Sequence, residues 1–154
     1  LENVNQKVKT NLKNWLTHYK SMNDVIDIFD AKIVNFGVEF RLRVDRRFTD
    51  SDVLSRAILK LREYFEDKLY VGEPVYINRL YSLLGKIDGV AEVRNIKITS
   101  RSGSLYSSNR VDLDEMRSKD GSYIKAPKNV IMELKFPDRD IKGTIIRWLK
   151  DTLQ

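Results

Sequence analysis

Cysteine is absent from the 154 residues. That removes disulfides, thiolate nucleophiles and cysteine metal ligands from consideration, and it fits a reducing compartment. Histidine occurs once, at His18. With no partner at ligand spacing it reads as a solvated helix residue and not a metal ligand, and a nucleophilic triad has nothing to build on. Proline is limited to Pro74, Pro127 and Pro137, all between periodic segments. No apolar run approaches the roughly 20 residues of a membrane-spanning helix. The N-terminus has no signal-peptide core. There is neither a Walker loop nor a GxGxxG turn after a strand. Neither sign of charge forms a long block: 28 basic and 22 acidic residues are interspersed, for a formal charge of +6. This balance reads first as solubility, while permitting nucleic acid or acidic protein surfaces as partners.

What is present is hydrophobic periodicity. The stretch around which the chain is organised is 50–100. Val53, Leu54, Ala57, Ile58, Leu61, Tyr64 and Phe65 lie on one face of a helix over 50–66. Thr49 and Asp52 resemble a weak capping box at its start. Gly72 and Pro74 break the chain. A second, shorter helix with Leu80, Leu83, Leu84 and Ile87 inward follows from an Asn78 cap, ends at Gly89, and leads into a strand through Val93, Ile96 and Ile98. Upstream, Val4, Val8, Leu12, Trp15, Leu16 and Tyr19 define an amphipathic helix. Its lysines admit a membrane-surface reading, but docking on its own domain or on an upstream one is the expectation. Residues 25–29 read as a short strand pairing as a hairpin with a long strand over 32–45. In that long strand Val34, Phe36, Val38, Phe40, Leu42 and Val44 alternate with Ile33, Asn35, Gly37, Glu39, Arg41 and Arg43, so one face is buried and one is wet. Gly37 marks a bulge or a close backbone approach.

The fold class expected is α+β: a mainly antiparallel sheet with two central helices packed on one face, plus the N-terminal amphipathic helix. The organisation is 1–20, helix; 21–100, a strand-strand-helix-helix-strand core; 101–119, a flexible Ser- and Gly-rich loop or insertion; and 120–154, C-terminal strands and a short helix carrying Ile145, Trp148 and Leu149. Asp120-Gly121 is a hairpin signal.

Residues that carry chemistry are few. Asp112, Asp114 and Glu115 are an acidic cluster that reads as a solvated turn, since an EF-hand needs more ligands and a central Gly. Asp138 and Asp140 bracket Arg139, which reads as local charge pairing. Arg41, Arg43, Arg46 and Arg47, with Phe48, form a possible phosphate-contacting patch with a stacking ring. No RNP pattern, GXXG clamp or recognition helix accompanies it. Tyr70, Tyr76, Tyr81 and Trp148 are candidate interface aromatics, with core packing as the alternative for each. No catalytic residue, cofactor or metal is indicated.

The segment 72–93 combines a turn at Gly72, Pro74, the Asn78 cap, leucines at 80, 83 and 84, and Gly89-Val90 before a strand. Together with 16–40 (a helix ending near Tyr19, then two strands) and 133–143 (Glu133 to Gly143 through Pro137), it resembles the J-like baseplate family of contractile phage tails, including its T4-type wedge members. The resemblance touches most of the chain in order, while 101–119 has no counterpart in it. It implies that the chain is a C-terminal fragment of a virion structural subunit and not an enzyme. It further implies wedge and hub proteins as partners, a homodimer, and assembly in the host cytoplasm into the tail baseplate; the residues themselves indicate no membrane partner and rank nucleic acid below protein partners. A basic nucleic-acid-binding module is the second reading of the residues.

Overall fold

A computed structural model describes residues 2–146. In chain order the elements are α1 (Gln6–Thr17), β1 (Lys32–Val44), α2 (Asp50–Tyr64), β2 (Val75–Tyr76), α3 (Ile77–Gly85), β3 (Val90–Ser100), β4 (Tyr123–Ile124), β5 (Val130–Glu133), the single turn α4 (Pro137–Asp140) and β6 (Ile141–Ile145). The fold class is α+β, as the alternation in β1 and the helical period of α2 anticipate.

The long strand β1 is the axis of the sheet. Its even-numbered residues from Val34 to Val44 are all buried. Along one edge it pairs antiparallel with β3, setting Val38 opposite Ile98 and Phe40 opposite Ile96, with register shifts beyond Arg41 and again beyond Arg43. Along the other edge two short strands run parallel to it in succession: β5 beside Lys32–Asn35 and β6 beside Val38–Leu42. The α4 turn lets the chain step from one to the other. Both edges of β1 are therefore occupied, and no room remains for the hairpin expected from residues 25–29. These residues have no regular structure and pair with nothing in the sheet.

The two central helices cover the apolar face, α2 lying over β1 and β6 and α3 over β3. Val53, Ala57 and Leu61 of α2 and Ile77, Leu80 and Leu84 of α3 are buried there. The approach of α2 depends on Gly143 in β6, where a β-carbon would collide with the Leu54 side chain and stand 2.5 Å from the Phe40 ring. The expected terminal helix is corrected at Ile145, which ends a strand, and its other members Trp148 and Leu149 lie outside the described residues.

Three smaller expectations also change. The N-cap of α3 is Tyr76, and Asn78 sits inside the helix with its amide donating to the Ser122 carbonyl. Thr49 is the N-cap of α2 but makes no side-chain cap bond. Gly89 lies beyond the end of α3, and its φ of +92° makes the turn into β3. The Asp120-Gly121 hairpin does form, with Gly121 at φ +72°, Ser118 bonded back to Tyr123 and Arg117 bridged antiparallel to Ile124, and its outgoing strand β4 also pairs with β2.

Candidate functional site

The N-terminal arm, residues 2–30, stands apart from the core. Asn5 caps α1 by accepting a hydrogen bond from the Lys7 amide at 2.8 Å, which satisfies one of the free amides of the first turn. No residue of α1 is buried. The helix is held to the segment behind it by charge: Lys13 pairs with Asp27 at 3.2 Å, and Lys9 with Asp30. The lysine face therefore turns toward the chain's own aspartates, and the apolar stripe, apart from the half-buried Leu16, turns to solvent. Trp15 is 57% exposed and Tyr19 72%, with ring centroids 4.8 Å apart, and Val4, Val8 and Leu12 are exposed beside them. In the segment that follows, Val25 and Phe29 are 82% and 86% exposed. Of the two docking partners expected, its own domain is corrected: among the described residues the lysine face, and not the apolar one, meets the rest of the arm, which leaves an upstream domain as the other expected partner. A contiguous apolar surface of this kind marks a contact site on a folded protein. Among the described residues no helix is long and apolar enough to cross a membrane. His18 is exposed at the C-cap of α1.

The four interface aromatics fare differently. Tyr70 is exposed, in a turn held by its own amide donating to Glu73 at 2.8 Å. Tyr76 stacks obliquely on Tyr123, and the Arg79 guanidinium lies 4.5 Å from its ring centre. Tyr81 has a structural post: its hydroxyl accepts a hydrogen bond from the Ile96 amide at 3.0 Å. Tyr81 thereby blunts the edge that β3 leaves open. Trp148 lies outside the described residues.

The face of the sheet opposite the helices splits in two. Toward the C-terminal end of β1 it is open. There Glu39 and Arg41 of β1, Asn95 and Lys97 of β3, and Lys142 and Thr144 of β6 line a hollow of about 440 Å³. The arginine patch anticipated from the sequence is dispersed. Arg41 is in the hollow, Arg43 pairs with Glu92 at 2.8 Å, and Arg47 pairs with Asp45 at 2.9 Å. Hydrogen bonds from the Arg47 side chain and amide pull the Asp45 carboxyl down to about 2. Phe48 is not on this face. It packs over Gly89, with the Arg56 guanidinium 5.9 Å from its ring centre.

Toward the N-terminal end of β1 the same face is covered by residues 101–109. These have no regular structure, as expected, but they are fastened down. The Ser107 amide donates to the Asn35 side chain at 2.7 Å, and the Asn109 side chain donates to the Ile33 carbonyl at 3.2 Å. Beneath lies Asp140, 1% exposed. It accepts hydrogen bonds from the Tyr106 hydroxyl at 2.6 Å and the Phe136 amide at 3.0 Å. Arg101 stands between Asp140 and Glu39, at 3.4 and 3.5 Å. Local pairing of Arg139 with its neighbours is corrected: Asp138 reaches Arg62 of α2 at 2.8 Å, and Arg139 lies over the Phe136 ring. Gly37 is where the loop comes closest. A β-carbon there would stand 2.5 Å from Arg101 Nε, so the close-approach reading of this glycine holds. Sequence reasoning missed the Asn35–Arg101–Asp140 set because its members lie far apart in the chain, and no spacing rule connects them.

Asp112 Oδ1 accepts from the amides of Asp114 and Glu115, closing the acidic segment as a turn. Among the described residues no group of three acidic or histidine side chains is placed to hold a metal ion. No protein-family model matches the chain, and no curated protein is significantly similar to it.

Proposed function

We propose that the chain is a structural assembly module, a piece of a baseplate wedge subunit in a contractile phage tail, joining copies of itself and other tail proteins. The observation that carries the assembly reading is the exposed apolar arm. Val4, Val8, Leu12, Trp15 and Tyr19 form a helical stripe left exposed among the described residues, a shape suited to burial against another protein. The baseplate assignment rests on the ordered resemblance of 16–40, 72–93 and 133–143. The reading assigns no catalysis, cofactor or metal to the chain, and places it in the virion. The test is mass spectrometry of tail particles purified on density gradients from lysates of cells carrying the gene. The protein is expected there in a stoichiometry that is a multiple of the sixfold baseplate. Its absence from intact tails would overturn the assignment.

A second reading, a nucleic-acid-binding module, is favoured by Arg41, Lys97 and Lys142 on the open sheet face. It ranks below the first because no ring lining that hollow is free to stack on a base: Phe40 is 2% exposed, turned into the core.

A further inference from the structure

The open hollow on the sheet has a charge pattern that selects among anions. Neighbouring strands place Lys97, Glu39 and Lys142 in one cross-strand row, and Asn95, Arg41 and Thr144 in another. Lys97, Lys142 and Arg41 make no ion pair recorded among the described residues, whereas Glu39 is already engaged by Arg101 at 3.5 Å. With strands about 4.8 Å apart, the backbone positions of the two lysines are separated by about 10 Å. Arg41, two residues along on the middle strand, is roughly 8 Å from each. Glu39 lies between the two lysines on the middle strand.

The geometry points to an extended acidic polypeptide segment of a partner protein as the occupant, with acidic residues at alternate positions. In an extended chain, side chains on one face recur about every 7 Å. That is within reach of two lysines whose flexible stems lean inward. The residue between the two carboxylates presents a backbone N–H, a donor suited to Glu39, while Asn95 and Thr144 offer hydrogen bonds to the peptide. A phosphodiester chain meets this pattern less well. The DNA sugar–phosphate linkage has no N–H or O–H donor to set over Glu39, and its bases find no exposed ring to stack on. A single phosphate gathered between the three cations would set its charge against the carboxylate of Glu39, which the row places between the lysines. The inference concerns the partner's chemistry and stands whether or not the protein belongs to a phage tail.

The test is fluorescence anisotropy at low salt with two probes of equal charge carrying the same label: the octapeptide (Glu-Ser)4, labelled at its N-terminus and amidated at its C-terminus, and pentathymidylate with four phosphodiesters. The peptide is expected to bind at least about threefold more tightly than the oligonucleotide. The double variant Lys97→Glu/Lys142→Glu is expected to weaken the peptide at least about tenfold. A control variant, Lys119→Glu/Lys128→Glu, changes net charge equally at exposed positions outside the hollow and is expected to leave most of the affinity. Melting curves from circular dichroism check that all three proteins are folded, and Lys97→Gln/Lys142→Gln replaces the charge reversal if it unfolds the chain. Failure of the peptide to bind, equal or tighter binding of the oligonucleotide, or equal losses in the two double variants would each overturn the proposal.

Discussion

Asp140 shows how much one residue can organise. A buried carboxylate is tolerated only when its oxygens are satisfied, and here a phenol, an amide and a guanidinium surround it. Tyr106→Phe removes the phenol donor and is expected to cost about 1.5–3 kcal/mol, the range for hydrogen bonds to charged groups, measured by urea unfolding. The same bond has a pH signature. Chiefly through that hydrogen bond, and then through burial, the Tyr106 pKa lies above its ordinary value of 10.0. A group whose folded pKa is raised contributes stability that is complete below its unfolded pKa and is lost as pH rises through the folded one. Wild type is therefore expected to lose stability above pH 10 by an amount that Tyr106→Phe does not, with ultraviolet titration of tyrosinate locating the transition. Gly143 makes a second residue-scale test. Its missing side chain lets α2 settle on Phe40, so Gly143→Ala is expected to destabilise by about 1–3 kcal/mol, the usual result of overpacking. An unchanged urea midpoint would mean that the helix can move away at no cost.

At the scale of elements, the parts that were legible in the sequence are those whose burial is periodic. β1 announces its buried face by strict alternation, and α2 announces its own by the steps Val53, Ala57, Leu61. Ile58 follows the same arithmetic yet is only half-buried, at the margin of the helix–sheet contact. Leu61→Ala is accordingly expected to cost about 2–5 kcal/mol, and Ile58→Ala about 1–2 kcal/mol. Comparable losses at the two sites would mean that the face of α2 is misplaced. The elements that could not be read are those made by pairing. Residues 25–29 have the composition of a strand, but β3, β5 and β6 take both edges of β1. Residues 141–145 carry only a short alternation broken by Gly143, and they become a strand because β1 offers an edge. Of the candidate site, the apolar stripe of α1 was visible as a period; its exposure was not, because a period marks an apolar face without saying what covers it.

At the scale of the whole molecule, charge and apolar surface are segregated. The arm, residues 2–30, carries Lys7, Lys9, Lys13 and Lys20 against Glu2, Asp24, Asp27 and Asp30 and is formally neutral, so the positive charge of +6 resides in the rest of the chain. A neutral apolar arm can meet a like surface without repulsion, and it lacks the cationic excess that draws a helix to anionic lipid. If the protein were instead a nucleic-acid binder, its affinity for generic duplex DNA would fall steeply with salt in proportion to the phosphates contacted. The assembly reading predicts only weak binding, already gone near physiological salt, in a filter or anisotropy titration.

The claim on which the account turns is that the outward stripe of α1 exists to be covered by protein. Multi-angle light scattering across a wide concentration range tests it directly. The wild-type chain is expected to gain mass beyond a single copy as concentration rises. Leu12→Glu/Trp15→Glu, at two exposed positions, is expected to remain a single copy with an unchanged melting temperature. A wild-type chain that keeps the mass of one copy at every concentration, or a double variant that associates as readily as wild type, would contradict it.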